Sequence, residues 1–175
     1  LVGAIEKTTS TVAKLKAALQ HRATSGRVTM SDQATALASV DFDKARFAAT
    51  LKTRALPPYG SGQCAKYVRI ALEAAGMATG PNPRLAKDYG PYLEARGFTA
   101  VARFVSGDAI SKGVASDGFK LEVGDVAVIQ NPSSSTAGHI QGYDGANWIS
   151  DFVQDAFWPG PAYRSEKPAY VIYRR

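Results

Sequence analysis

The chain holds one cysteine among its 175 residues, Cys64 in "GSGQCA", and two histidines, His21 and His139. A single cysteine excludes an intrachain disulfide, and with two histidines it cannot furnish a zinc site of the cysteine–histidine type. No clustered Asp/Glu pattern suggests a carboxylate metal site either, and no cofactor motif is evident. What these residue types can do is nucleophilic catalysis. The pattern around Cys64 predicts a helix that opens just after a Gly-Ser-Gly turn. Free backbone N–H groups and the positive end of the helix dipole favour a thiolate there and lower its pKa. The same N–H groups can hold an oxyanion forming on a carbonyl under attack. The competing reading is an inert packing residue, since Cys64, Val68, Leu72 and Ala75 fall on one helical face.

His139 lies in "SSSTAGHIQGYD", where a polar loop ends at Gly138 and an alternating strand begins. A histidine at the first residue of a strand is well placed as a general base; the competing reading is a partly exposed strand-end residue. His21, in "ALQHRATSG", reads as a solvated residue or a partner for a helix C-terminus. A Cys–His pair needs a third group that orients the imidazole, and Asp144 and Asp151 are the near candidates. Residues 138 to 154 read as a hairpin with its turn around "DGAN". With a three-residue loop, Gly145 to Asn147, Asp151 lies opposite Gln141 on the face that carries His139. With a two-residue loop, Gly145 and Ala146, it lies opposite Ile140 and points away. Asp151 is the choice on the first condition, and Asp144 reads as a turn former. Glu122 and Asp125, in "LEVGDVAVIQ", read as loop residues entering a buried strand.

The elements that must position these residues fall in two blocks. Residues 4 to 22 carry Ala4, Ile5, Val12, Leu15, Ala18 and Leu19 near helical spacing. Ser31 is a good N-cap, and "DFDKARFAATLKTRA" is amphipathic. "LPPYGSG" then breaks the chain. A helix is expected from Gln63 to Ala75 with Gly76 as its stop, and another in "NPRLAKDYGPYLEARGF", interrupted near Gly90–Pro91. After it come short β-branched and aromatic segments, "FTAVARFV", "DVAVIQ", "GHIQGYD", "NWISDFVQ" and "AYVIYRR". Helices first and neighbouring strands second predict an α+β fold with a mainly antiparallel sheet. The expected organisation is a helical extension or cap over 1–55 and a catalytic domain over 56–175.

Composition bounds the partners. Hydrophobic residues make up 45% and charged residues 21%, an ordinary globular balance. The net charge of +6 favours encounter with polyanions such as the anionic bacterial wall. The basic residues are scattered rather than interleaved with aromatics, which argues against nucleic acid. No apolar run approaches the ~20 residues of a membrane span. The opening residues lack the order of a secretory signal.

Taken together, these segments resemble a known family. "GQCAKYV" is similar to the Gly-Gln-Cys-x-x-Tyr-(Val/Ala) signature of cysteine- and histidine-dependent amidohydrolases/peptidases, the CHAP group. "LEVGDVAVI" and "GHIQGYDGANWISDF" resemble their strand and histidine hairpin, in the same chain order. The resemblance covers roughly residues 57 to 175. It implies a papain-like fold, shared with NlpC-type enzymes, with the nucleophile at the N-terminus of a helix packed on the sheet. It implies Cys64 as nucleophile, His139 as base and a variable polar third residue, here Asp151. It also implies an oxyanion held by the Cys64 N–H with help from Gln63 or Tyr59. Lys66 departs from the aromatic that many members carry. The implied substrate is the peptidoglycan stem peptide, cut as an amidase or endopeptidase through a thioester, without metal or cofactor. Among wall hydrolases the chain looks like a type VI secretion amidase effector or a phage-type lysin. That implies action in the bacterial periplasm or cell wall and, for an effector, a neutralising immunity protein. Two other readings stand beside it: a Cys-His-Asp protease or transglutaminase-like acyltransferase acting on protein, and a non-catalytic module of the same fold. Substrate choice would lie in the loops around Pro81–Arg84 and Asn131–Thr136.

Overall fold

The computed structural model describes residues 41–105 and 118–175, which lie in a compact unit spanning Val40–Arg175. The helix expected over residues 4 to 22, His21 and the Ser31 cap fall outside the described residues. Helix α1 (Lys44–Arg54) opens where the Asp43 carboxylate accepts the Arg46 N–H at 2.8 Å, a side-chain cap on an otherwise unpaired donor. Phe47 and Leu51, one turn apart, are buried and share a core with Val68, Leu72, Ile140 and Ile149. The last helix of the expected N-terminal extension is thus built into this core. The break at 55/56 lies inside the compact unit rather than at its edge.

Helix α2 (Cys64–Ala74) ends as expected at Gly76. The Gly76 N–H bonds the Glu73 carbonyl at 3.1 Å and the Met77 N–H bonds that of Leu72 at 3.0 Å, the paired C-terminal bonds of a Schellman motif. A 3-10 turn, Ala86–Asp88, leads into α3 (Tyr89–Glu94). The interruption expected at Gly90–Pro91 falls at Asp88 instead. Pro91 sits in the first turn of α3, where a missing N–H removes no intrahelical bond.

Five strands follow: β1 (Thr99–Phe104), β2 (Val126–Ile129), β3 (His139–Tyr143), β4 (Trp148–Ile149) and β5 (Tyr170–Arg174). They form one sheet in the order β1-β5-β2-β3-β4, antiparallel at every pairing. The described fold is α+β with an antiparallel sheet. β2 is buried at every position because both faces of the sheet are covered. Val126 and Val128 face the helical core, while Ala127 and Ile129 face a second cluster with Phe104, Phe157, Trp158 and Tyr170. At the entrance to β2, Asp125 is fully buried and accepts two bonds from the Arg174 guanidinium, at 2.7 and 2.8 Å. It is a structural residue at the start of a buried strand.

The β3–β4 hairpin sets the site. Gly142 pairs with Ile149 and Tyr143 with Trp148, and the Asp144 N–H bonds the Asn147 carbonyl at 3.1 Å. The loop is therefore the two residues Gly145 and Ala146. Asp144 Oδ1 accepts from the N–H groups of Ala146 and Asn147 at 2.9 and 2.6 Å, so Asp144 forms the turn. The three-residue loop on which Asp151 depended is absent. A regular strand in the observed register would aim Asp151 away from His139. The strand does not stay regular: β4 stops at Ile149, and the chain reverses at 150–152, with the Ser150 N–H bonded to the Phe152 carbonyl at 3.0 Å. That reversal turns Asp151 back towards the site. A final helix, α4 (Pro161–Glu166), was not expected from the sequence. Its signal was present in Gly160-Pro161, since proline at the first helical position is favoured.

Candidate active site

Cys64 is the first residue of α2, and the loop before it is held in place by Asp151. Asp151 Oδ2 accepts from the Ser61 N–H at 2.6 Å and the Gln63 N–H at 3.0 Å, with the Ser61 hydroxyl at 3.3 Å. Ser150 Oγ donates to the other carboxylate oxygen at 3.2 Å. The Asp151 main-chain carbonyl also accepts from the Leu56 N–H at 2.8 Å. One residue thus pins both ends of the segment that delivers the cysteine. Gly60 is required by this tether: its φ is +70°, and a Cβ there would stand 2.8 Å from the Asp151 carboxylate. Burial alone would raise the Asp151 pKa. The Ser61 and Gln63 N–H groups outweigh it and hold the carboxylate below its usual range.

The sheet supplies a further donor. In an antiparallel ladder, successive residues direct their backbone groups alternately to the two neighbouring strands. In β3, Tyr143 bonds across to Asp125, so Ile140 and Gly142 face the β4 side. Gly142 finds Ile149 there. Ile140 finds no strand, because β4 has ended, and its N–H acts on the Cys64 thiol instead, drawing its pKa down. Sequence reasoning missed this donor. A backbone N–H carries no sequence signal, and where β4 ends is decided by contacts distant in the chain.

His139 begins β3, pairs with Ile129 and is 8% exposed. Its Nε2 is buried and has no hydrogen-bond partner among the described residues. Burial drives its pKa down to about 4; the Asp151 charge and a hydrogen bond with Gln141 pull upward against it. Gln141, two residues along the same face, is itself fixed. Its Nε2 donates to the Phe157 carbonyl at 3.0 Å and its Oε1 accepts from Gln154 Nε2 at 2.6 Å. The amide is thereby turned so that its carbonyl oxygen is the atom available to the imidazole. The thiol behaves differently from the sequence expectation. Burial raises the Cys64 pKa, and the Asp151 charge adds to it, against the N–H groups of Ile140, Ala65 and Cys64 that lower it. The helix start acts in the expected direction and is outweighed. At neutral pH the pair rests as thiol and neutral imidazole.

Two clefts meet at Cys64. One, of about 250 Å³, is lined by Tyr59, Cys64, His139, Asp151, Phe152 and Tyr163. It brings the three sequence-predicted residues and Tyr59 together. Tyr59 stands at its mouth, 82% exposed. Tyr163 of α4 sets its ring 6.1 Å from that of His139. Burial, with the Cys64 charge adding, pushes the Tyr163 phenol up to about 12, so it is a hydroxyl donor throughout the useful pH range. The other cleft, of about 340 Å³, includes Gln63 and Cys64. Gln63 caps nothing with its side chain, and its Oε1 accepts from Lys66 Nζ at 3.2 Å. No group of three or more His, Cys, Asp or Glu side chains able to hold a metal occurs among the described residues.

The chain is similar to two crystal structures of one complex, described as the type VI effector–immunity complex Tae3–Tai3 from Ralstonia pickettii. Against the native form the identity is 41% with a TM-score of 0.60, over 76% of this chain and 98% of the matched one. Against the selenomethionine form it is 42% with a TM-score of 0.58, over 74% and 99%. No protein-family model matches the chain, and no curated protein shows significant similarity to it. With two-fifths of the residues identical over almost the whole of the matched chain, this protein belongs to the Tae3 family of type VI effectors.

Proposed function

We propose that the chain is a cysteine-dependent peptidoglycan hydrolase of the papain-like, CHAP/NlpC type. In this reading it cleaves an amide bond of the wall stem peptide, as amidase or endopeptidase, in the periplasm of a target cell. The observation that carries the reading is the buried, unpartnered Nε2 of His139 in a cleft shared with Cys64. A buried polar atom without a partner costs free energy, and this one belongs to a residue that lines the same cleft as a thiol that a base would activate.

The geometry supports the following course. With a carbonyl placed over Cys64, His139 Nε2 takes the thiol proton as sulfur attacks, so that charge appears only during the reaction. The oxyanion lies against the unpaired N–H groups at the start of α2. The Asp151 charge and the Gln141 carbonyl oxygen stabilise the imidazolium that forms. His139 then gives its proton to the leaving amine, the C–N bond breaks, and a thioester to Cys64 remains. Water, deprotonated by the same imidazole, attacks the thioester and releases acid and thiol. Asp151 positions the nucleophile loop in this scheme, and Gln141 orients the base. The basic surface favours residence on the anionic wall. The effector–immunity complexes to which the chain is similar support a neutralising immunity protein as partner.

Purified protein is incubated with peptidoglycan sacculi and the released fragments are identified by mass spectrometry. The reading expects defined peptide fragments from the wild type and none from Cys64→Ala or His139→Ala. Intact sacculi, together with a cleaved or cross-linked host protein, would transfer the same machinery to protein substrates.

A further inference from the structure

We propose that the second cleft at Cys64 is a carboxylate-binding subsite that receives the acyl-donor half of the substrate, an inference that rests on the amide-hydrolase reading above. Three cations line this cleft, Lys66, Arg69 and Arg84, and no Asp or Glu does. Lys66 and Arg69 stand three apart on α2, a spacing at which like charges repel. Two of the three have no ion pair among the described residues. Lys66 donates to the neutral amide of Gln63. Arg69 Nη1 pairs with Glu73 at 2.8 Å, but its Nε is buried with no partner among the described residues. Arg84 is exposed and forms no ion pair among the described residues. Two cations without an ion pair among the described residues, Lys66 and Arg84, beside a guanidinium whose Nε is unpartnered, are a site for a carboxylate, which they bind through charge-assisted hydrogen bonds. The volume of about 340 Å³ accommodates an amino-acid unit bearing that carboxylate.

The proton traffic assigns the halves. The leaving amine must reach His139, and His139 lines the other, aromatic cleft. The acyl portion, which stays on Cys64 as the thioester, therefore extends into the cationic one.

Three soluble synthetic stem peptides test this: one with free carboxylates, one amidated only on the acyl side of the scissile bond, and one amidated only on the amine side. Amidation on the acyl side is expected to lower kcat/KM by about tenfold, chiefly through KM, and amidation on the amine side to leave it within about twofold. Arg84→Ala and Lys66→Ala should collapse that preference towards unity, and Arg84→Glu should invert it. Equal Cys64-dependent cleavage of all three peptides by the wild type would overturn the subsite while leaving the hydrolase reading intact. A preference that follows the amine side would overturn the assignment of halves. Failure to cleave any peptide or sacculi would remove both.

Discussion

Acidification should expose the cost of burying His139 as a neutral base. An unfolded chain protonates this residue near pH 6.5, whereas the folded protein holds it unprotonated down to about pH 4. Between those values the unfolded state carries one more proton, so unfolding becomes easier as pH falls. Each pH unit within the window costs ~1.4 kcal/mol. From pH 7 to pH 4.5 this one side chain should remove roughly 2–3 kcal/mol of stability, most of it below pH 6. His139 is 8% exposed, so solvent screening takes little away from that figure. The Asp151 contribution lies elsewhere: its depressed carboxyl supports the fold above pH 3.8 and is lost only below it. Urea unfolding followed by tryptophan fluorescence at pH 7, 6, 5 and 4.5 reads the effect, with His139→Asn as the internal reference because it retains every other titrating group. The wild type should lose about 2–3 kcal/mol more than the variant across this range. Parallel pH dependences would show that burial does not hold His139 neutral, and the proposed base would lose its physical rationale.

Three further outcomes follow from the same geometry. The kcat/KM for fragment release should be flat from neutrality to about pH 5 and fall through about pH 4 as His139 protonates; an acid limb near pH 6.5 would contradict it. Asp151→Ala should leave the Ser61 and Gln63 N–H groups unpaired, costing about 2–3 kcal/mol in urea unfolding. It should also move the acid limb to still lower pH, since the Asp151 charge raises the His139 pKa; an unmoved limb would separate Asp151 from the imidazole. Gly142→Ala should cost about 1–3 kcal/mol in thermal unfolding, because its Cβ would meet the Phe47 ring and a Leu51 methyl; an unchanged Tm would mean that α1 does not press on β3.

The placement of Cys64 and His139 was legible because it is written in local signals. The glycines at 60 and 62, the apolar spacing from Val68 to Leu72 and the stop at Gly76 locate α2 and put Cys64 at its start. The alternation of "HIQGY" between two cores locates β3 with His139 first. What was not legible depends on contacts far apart in the chain. Parity alone would have turned Asp151 away; the reversal after Ile149 brings it back to a loop 90 positions earlier. The sign of the Cys64 pKa shift depends likewise on burial under other segments, which no helix-start rule contains. The boundary at 55/56 followed from proline and glycine, which report where a helix ends. They do not report which core the helix joins, and Phe47 and Leu51 decide that.

The early end of β4 leaves a gap in the sheet beside Cys64, and continued pairing would close it without touching either proposed catalytic side chain. Two more residues of regular pairing would zip Asp151 against Ile140, occupy the N–H that draws the thiol pKa down and release the loop before α2. Hairpin length is constrained for the same reason. Inserting one residue between Asp144 and Asn147 would exchange the faces of Trp148 and Ile149, which lie in different cores. A surface turn that would ordinarily tolerate insertions is here tied to the geometry of the candidate site.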